Sequence, residues 1–140
     1  MKWKLIGLLS LFGLAMGIAT VFVIPSNVEP LFWLVIFVIC AYAIAKQSSG
    51  KHFIHGLLLG LANSVWITAS HILLFDRYLA GHAREAAMMS TMPMHDAPKL
   101  MMAITGPIVG FLSGLILGLF AFVAGKIVKP PQSNTTTSVP

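Results

Sequence analysis

The sequence predicts an all-α fold, an integral membrane bundle of four transmembrane helices, and three observations carry that reading. Its 140 residues are 57% hydrophobic and 9% charged, with a mean hydropathy of +0.88, far from the balance of a soluble domain. Four apolar runs, at about 5–24, 31–45, 52–75 and 100–125, approach or exceed the length needed to cross a hydrocarbon layer of ~30 Å. In the last run Gly106, Gly110, Gly114 and Gly118 recur every fourth residue. Interior glycines cost a helix in water roughly 1 kcal/mol each, whereas in lipid a bare face lets another helix come close and gain dispersion contacts. The stripe therefore requires a partner.

The first run follows Lys2, Trp3 and Lys4, and continues past the small-x-small segment Gly17-Ile18-Ala19 through Val21, Phe22 and Val23. That continuation favours an uncleaved anchor over a secretory signal peptide. Gly13 and Gly17 add a second surface for close packing. Pro25 and Pro30 bound a tight connector, since proline stops the helices on either side. The second run is short and needs Lys46 to snorkel for it. After the turn Gln47-Ser48-Ser49-Gly50-Lys51 comes the most polar run, in which His52, Gly56, Gly60, Asn63, Ser64, Ile67 and His71 share one face at 100° per residue. An unpartnered Asn or His in hydrocarbon costs several kcal/mol, so this polar stripe points inward. The one long connector, 76–99, predicts a short interfacial helix over Arg77–Met92, ended by Pro93 and Pro98. Residues 1–129 thus form a single transmembrane domain. Residues 130–140, rich in Pro, Ser and Thr, form a disordered cytoplasmic tail, and Asn134-Thr135-Thr136 within it fits the glycosylation pattern.

The net charge of +5 reads as topology rather than as a nucleic-acid patch, because the bases sit in pairs at run ends. Lys2, Lys4, Lys46, Lys51, Lys126 and Lys129 fall on one side, against Arg77, Arg84 and Lys99 on the other, six to three. The positive-inside rule then puts both termini in the cytoplasm. All four acids, Glu29, Asp76, Glu85 and Asp96, lie on the opposite side. Cys40 is the only cysteine, which excludes an intrachain disulfide.

Candidate chemistry is sparse. Met88, Met92, Met94 and His95 form a soft donor set that could take Cu(I) outside the cytoplasm; an adaptable apolar filler on an interfacial helix is the competing and favoured reading. His52 and His55 face the headgroups, with no inner Asp, Glu or Cys to complete a metal set. His71 lies one turn before Asp76, which could orient its ring. A hydrogen bond tying the third and fourth spans together outweighs a proton relay there, since no Asp, Glu, Lys or Arg lies deep in any span. Enzyme signatures such as G-x-S-x-G or H-E-x-x-H do not occur.

The run His71-Ile72-Leu73-Leu74-Phe75-Asp76-Arg77-Tyr78, the Met-rich segment and the glycine-spaced last span ending at Lys126 together resemble a family of small bacterial four-span membrane proteins known as a domain of unknown function. The resemblance covers roughly the second half of the chain. It implies a bacterial inner membrane location and no chemistry. The sequence reading is therefore a non-enzymatic membrane protein of structural or interaction type, without cofactor or nucleic acid, packed through glycine-zipper faces. Its partners are the lipid bilayer and a second copy or another membrane protein. Cu(I) binding or transport, and a small channel or permease using His52, Asn63 and His71, are the alternatives.

Overall fold

The computed structural model describes residues 1–129, and the tail expected at 130–140 lies outside them. Six helices follow in order: α1 Trp3–Phe22, α2 Glu29–Gln47, α3 His52–Leu73, α4 Phe75–Gly81, α5 Ala83–Thr91 and α6 Pro98–Ile127. Among the described residues there is no strand. Four helices, α1, α2, α3 and α6, are long and apolar enough to cross a membrane. At 1.5 Å per residue, the 20, 19 and 22 residues of α1 to α3 make rods of roughly 30 Å, and the 30 residues of α6 one of about 45 Å.

Helix ends depart from the apolar runs that suggested them, and α1 covers Trp3–Phe22 rather than 5–24. α2 begins at Glu29 rather than 31 and ends at Gln47 rather than 45. Proline in the first turn, an acid there and Lys46 in the last turn all suit a helix dipole. α6 likewise starts on Pro98 and carries Lys126 in its last turn. Counting only apolar residues misses such polar first and last turns.

The connector differs from expectation in kind. In place of one helix over Arg77–Met92 there are two, α4 and α5, meeting at His82 (φ −131°, ψ 66°). Gly81 supplies the weak point, and the His82 ring turns back so that its Nδ1 lies 2.8 Å from the Tyr78 carbonyl. The third span also stops at Leu73, short of 75, because Leu74 leaves the helical region (φ −107°, ψ 31°) before α4 begins.

α3 is the central rod. It packs lengthwise on α6 and on α1, and α2 packs on α6, while α1 and α2 touch sparsely. Chain direction makes α3 antiparallel to α6 and parallel to α1. Six lysines gather at one end of the molecule, here the lysine end, and the connectors 23–28 and 74–97 at the other, the connector end. α2 is buried only from Ile36 onward, at Ile36, Cys40, Ala41, Ile44 and Ala45. Small side chains there let it close on Leu117 and Ala121 of α6, both fully buried. Its first half is bulkier and stands off. That divergence opens the space described next.

Candidate functional site: a cleft between α2 and the α3–α6 pair

The wall of the site is the α3–α6 contact. A Cβ placed on Gly56 would stand 2.6 Å from Gly118 Cα, and one on Gly60 would run into the backbone of Gly114. Further along, Gly110 lies against Ser64 and Gly106 against Thr68, while towards the lysine end Gly125 lies against the His52 ring. Gly106, Gly110, Gly114 and Gly118 thus all face α3 of the same chain. Backbones this close gain contacts that no longer side chain would allow.

The polar stripe of α3 does not act as one face. Gly56, Gly60 and Ser64 turn to α6, whereas Asn63 and Ser70 turn to α1: a Cβ on Gly13 would meet Asn63 Oδ1 at 2.7 Å, and one on Gly17 would meet Ser70 Oγ at 2.8 Å. Asn63 is 2% exposed, and neither atom of its amide has a hydrogen-bond partner among the described residues. Gly13 gives that amide room without giving it a partner. His71 is tied to the first span, not the fourth: its Nε2 lies 2.9 Å from Thr20 Oγ1, a buried pair. Asp76 does not orient its ring. Instead His71 stacks on Tyr78 (centroids 4.3 Å apart, 22° between planes) and Tyr78 on His82 (4.4 Å, 21°). At the lysine end His52 Nε2 reaches the Ser48 carbonyl at 2.9 Å, and His55 Nε2 accepts from the backbone N–H of Lys2 at 3.1 Å.

Where α2 diverges, a cavity of about 690 Å³ opens between it and the α3–α6 pair, within the ~300–1,000 Å³ range of small-molecule sites. Its floor is aromatic, with Phe37 and Phe120 edge to face at 6.2 Å and Trp33 edge-on to Phe37 at 5.9 Å. Small and hydroxylated residues, Gly60, Ser64, Thr68, Gly106, Gly110 and Ser113, make the opposite wall. At the connector end the lining includes Ser26, Glu29, Tyr78, Met89 and Met102. Glu29 accepts a hydrogen bond from Trp33 Nε1 at 3.1 Å, an i,i+4 pair that holds both side chains on one face of α2. Close by, a hydrogen bond from Ser26 holds the Glu85 carboxyl below its ordinary range. Burial, with Glu85 and then Glu29 nearby, pushes the Tyr78 phenol up to about 12.

The Met-rich segment gathers less than its sequence suggested. Met88, Met92 and Met94 are exposed, Met94 has a left-handed backbone (φ 69°), and the His95 ring lies 3.1 Å from the Asp96 carboxylate. Met89 and Met102 instead line the cavity. Among the described residues no group of three or more His, Cys, Asp or Glu is placed to hold a metal ion. Sequence reasoning passed over Glu29, Trp33, Thr20 and Tyr78. The first two carried a readable signal, an acid and an indole one turn apart at the head of an apolar helix.

Comparison with protein family models, with curated proteins and with solved structures finds no match to this chain.

Proposed function

We propose that this chain is a multi-pass membrane protein of structural or interaction type, without catalysis, in which a glycine-zipper pair of spans is the fixed scaffold. The observation that carries the reading is the backbone-to-backbone approach of Gly56 and Gly60 to Gly118 and Gly114. Because the stripe is occupied by α3 of the same chain, a second copy or another membrane protein would meet the exposed apolar faces of α1 and α2 instead. The lysine bias assigns both termini to the cytoplasmic side, and α4 and α5 lie along the opposite interface. The family resemblance assigns the bacterial inner membrane.

The test is Gly114→Leu, read by size and thermal stability in detergent. A Cβ there would stand 2.7 Å from the Leu57 carbonyl oxygen, and overpacking costs ~1–3 kcal/mol or more. Wild-type size and melting in that variant would refute the proposal. A channel or permease is the second reading, favoured by the polar wall of the cleft, and flux in liposomes tests it. The Cu(I) reading is tested by copper bound per protein: equal binding after Met88, Met92 and Met94 are replaced by Leu would remove it.

A further inference from the structure

The cleft itself has no role in the scaffold, and its lining is asymmetric in a way that selects a ligand. One end is acidic and aromatic, with Glu29 held by Trp33 Nε1 and Tyr78 beside it. The rest of the lining is apolar, with the half-buried Phe37 and Phe120 and the exposed Val109 and Ile116. Among the described residues the one ion pair is His95–Asp96, so no Lys or Arg side chain neutralises Glu29. A carboxylate without a basic partner at the mouth of an aromatic-walled cavity offers a cation both Coulomb attraction and ring faces. An apolar groove of about 690 Å³ offers contact along its length to a hydrocarbon chain. An anionic amphiphile would meet the Glu29 carboxylate at the same end.

We propose that the cleft between α2 and the α3–α6 pair binds a single-chain amphiphile with a cationic amine or quaternary ammonium head, the head between Glu29, Trp33 and Tyr78 and the chain over Phe37 and Phe120. The glycine wall matters here because Gly106 and Gly110 let α6 close on Thr68 and Ser64 of α3, and these four residues together line the slot. The axis of the ligand runs along the helices, head towards the connector end. Trp33 serves twice, fixing the carboxylate through its N–H and presenting its ring face.

The probes are dodecyltrimethylammonium and dodecyl sulfate, which share a chain and differ in the sign of the head. Binding to the full chain in maltoside micelles is followed by native mass spectrometry. The expected result is one dodecyltrimethylammonium per chain, held about tenfold or more tighter than the sulfate, with the preference lost in Glu29→Gln. Ser113→Phe, which fills the slot, abolishes binding while leaving the melting temperature near wild type. Equal binding of the two surfactants, or a preference unchanged in Glu29→Gln, overturns the proposal. So does undiminished binding in Ser113→Phe. Each readout is independent of the Gly114→Leu test, so the scaffold can stand while the ligand assignment falls.

Discussion

Adding a single methyl group at Gly56 tests the packing of α3 on α6 where the atoms it meets are backbone. A Cβ there would stand 2.6 Å from Gly118 Cα and 2.7 Å from the Leu117 carbonyl oxygen. Carbon atoms pack at about 3.5–4.0 Å, so the two helices must part locally by roughly 1 Å. A gap of that size forfeits a quarter to a half of the dispersion well along the seam, and overpacking of this kind costs about 1–3 kcal/mol. The atoms on the receiving side are backbone, which has no rotamer to yield, so the upper end applies, about 3 kcal/mol. The better helix propensity of alanine offsets up to ~1 kcal/mol, leaving Gly56→Ala about 2 kcal/mol less stable than wild type. Gly7→Ala is the matched control, because a Cβ there meets nothing within 4 Å, so the same propensity gain leaves it unchanged or up to ~1 kcal/mol more stable than wild type. Reversible unfolding of both variants by a denaturing detergent, followed by helix content, reads the difference. Equal midpoints for Gly56→Ala and Gly7→Ala would refute the reasoning.

Other expectations follow from individual contacts. Thr20→Val leaves the buried Nε2 of His71 without its 2.9 Å partner and should cost about 1–3 kcal/mol; a double-mutant cycle with His71→Phe that shows no coupling would contradict this. Asn63→Ala removes an amide that has no partner among the described residues, so unfolding stability should change by less than about 1 kcal/mol, and a loss of about 3 kcal/mol or more would mean that the amide is bonded after all. Of the two tyrosines, Tyr78 should ionise late, at about 12 against an ordinary 10.0. Its folded pKa lies above its unfolded one, so its effect on stability is constant below pH 10 and stability falls as pH rises from about 10 to about 12. Tyr78→Phe should remove that fall, and a tyrosinate titration in which both rings ionise together at the ordinary pH would contradict the placement.

The number of long helices was legible because apolar length is a property of composition, and the four runs differ sharply from what joins them. Their ends were not, since Glu29, Pro30, Lys46 and Gln47 are helical without being apolar. The break at His82 was hidden behind Gly81, one glycine in a segment otherwise rich in helix formers. The four-residue spacing of Gly106 to Gly118 was readable as a face seeking a neighbour. Which neighbour it meets depends on pairings that no single-helix periodicity encodes. The same holds for the polar stripe of α3: at 100° per residue Asn63 and Ser64 sit side by side, and only the positions of α1 and α6 send one to Gly13 and the other to Gly110. The cleft was least legible of all, being a consequence of where α2 fails to pack.

The account rests on α3 and α6 touching within one chain, and a disulfide tests that most directly. A Cβ on Gly106 would lie 3.0 Å from Thr68 Cβ, so the helices need part locally by only roughly 0.5–1 Å to reach the ~3.5–4.5 Å that a disulfide spans. In a Cys40→Ala background, Thr68→Cys with Gly106→Cys should oxidise to an intrachain bond, seen as a fast-migrating monomer on a non-reducing gel. A covalent dimer, or two thiols that stay free, would contradict the account.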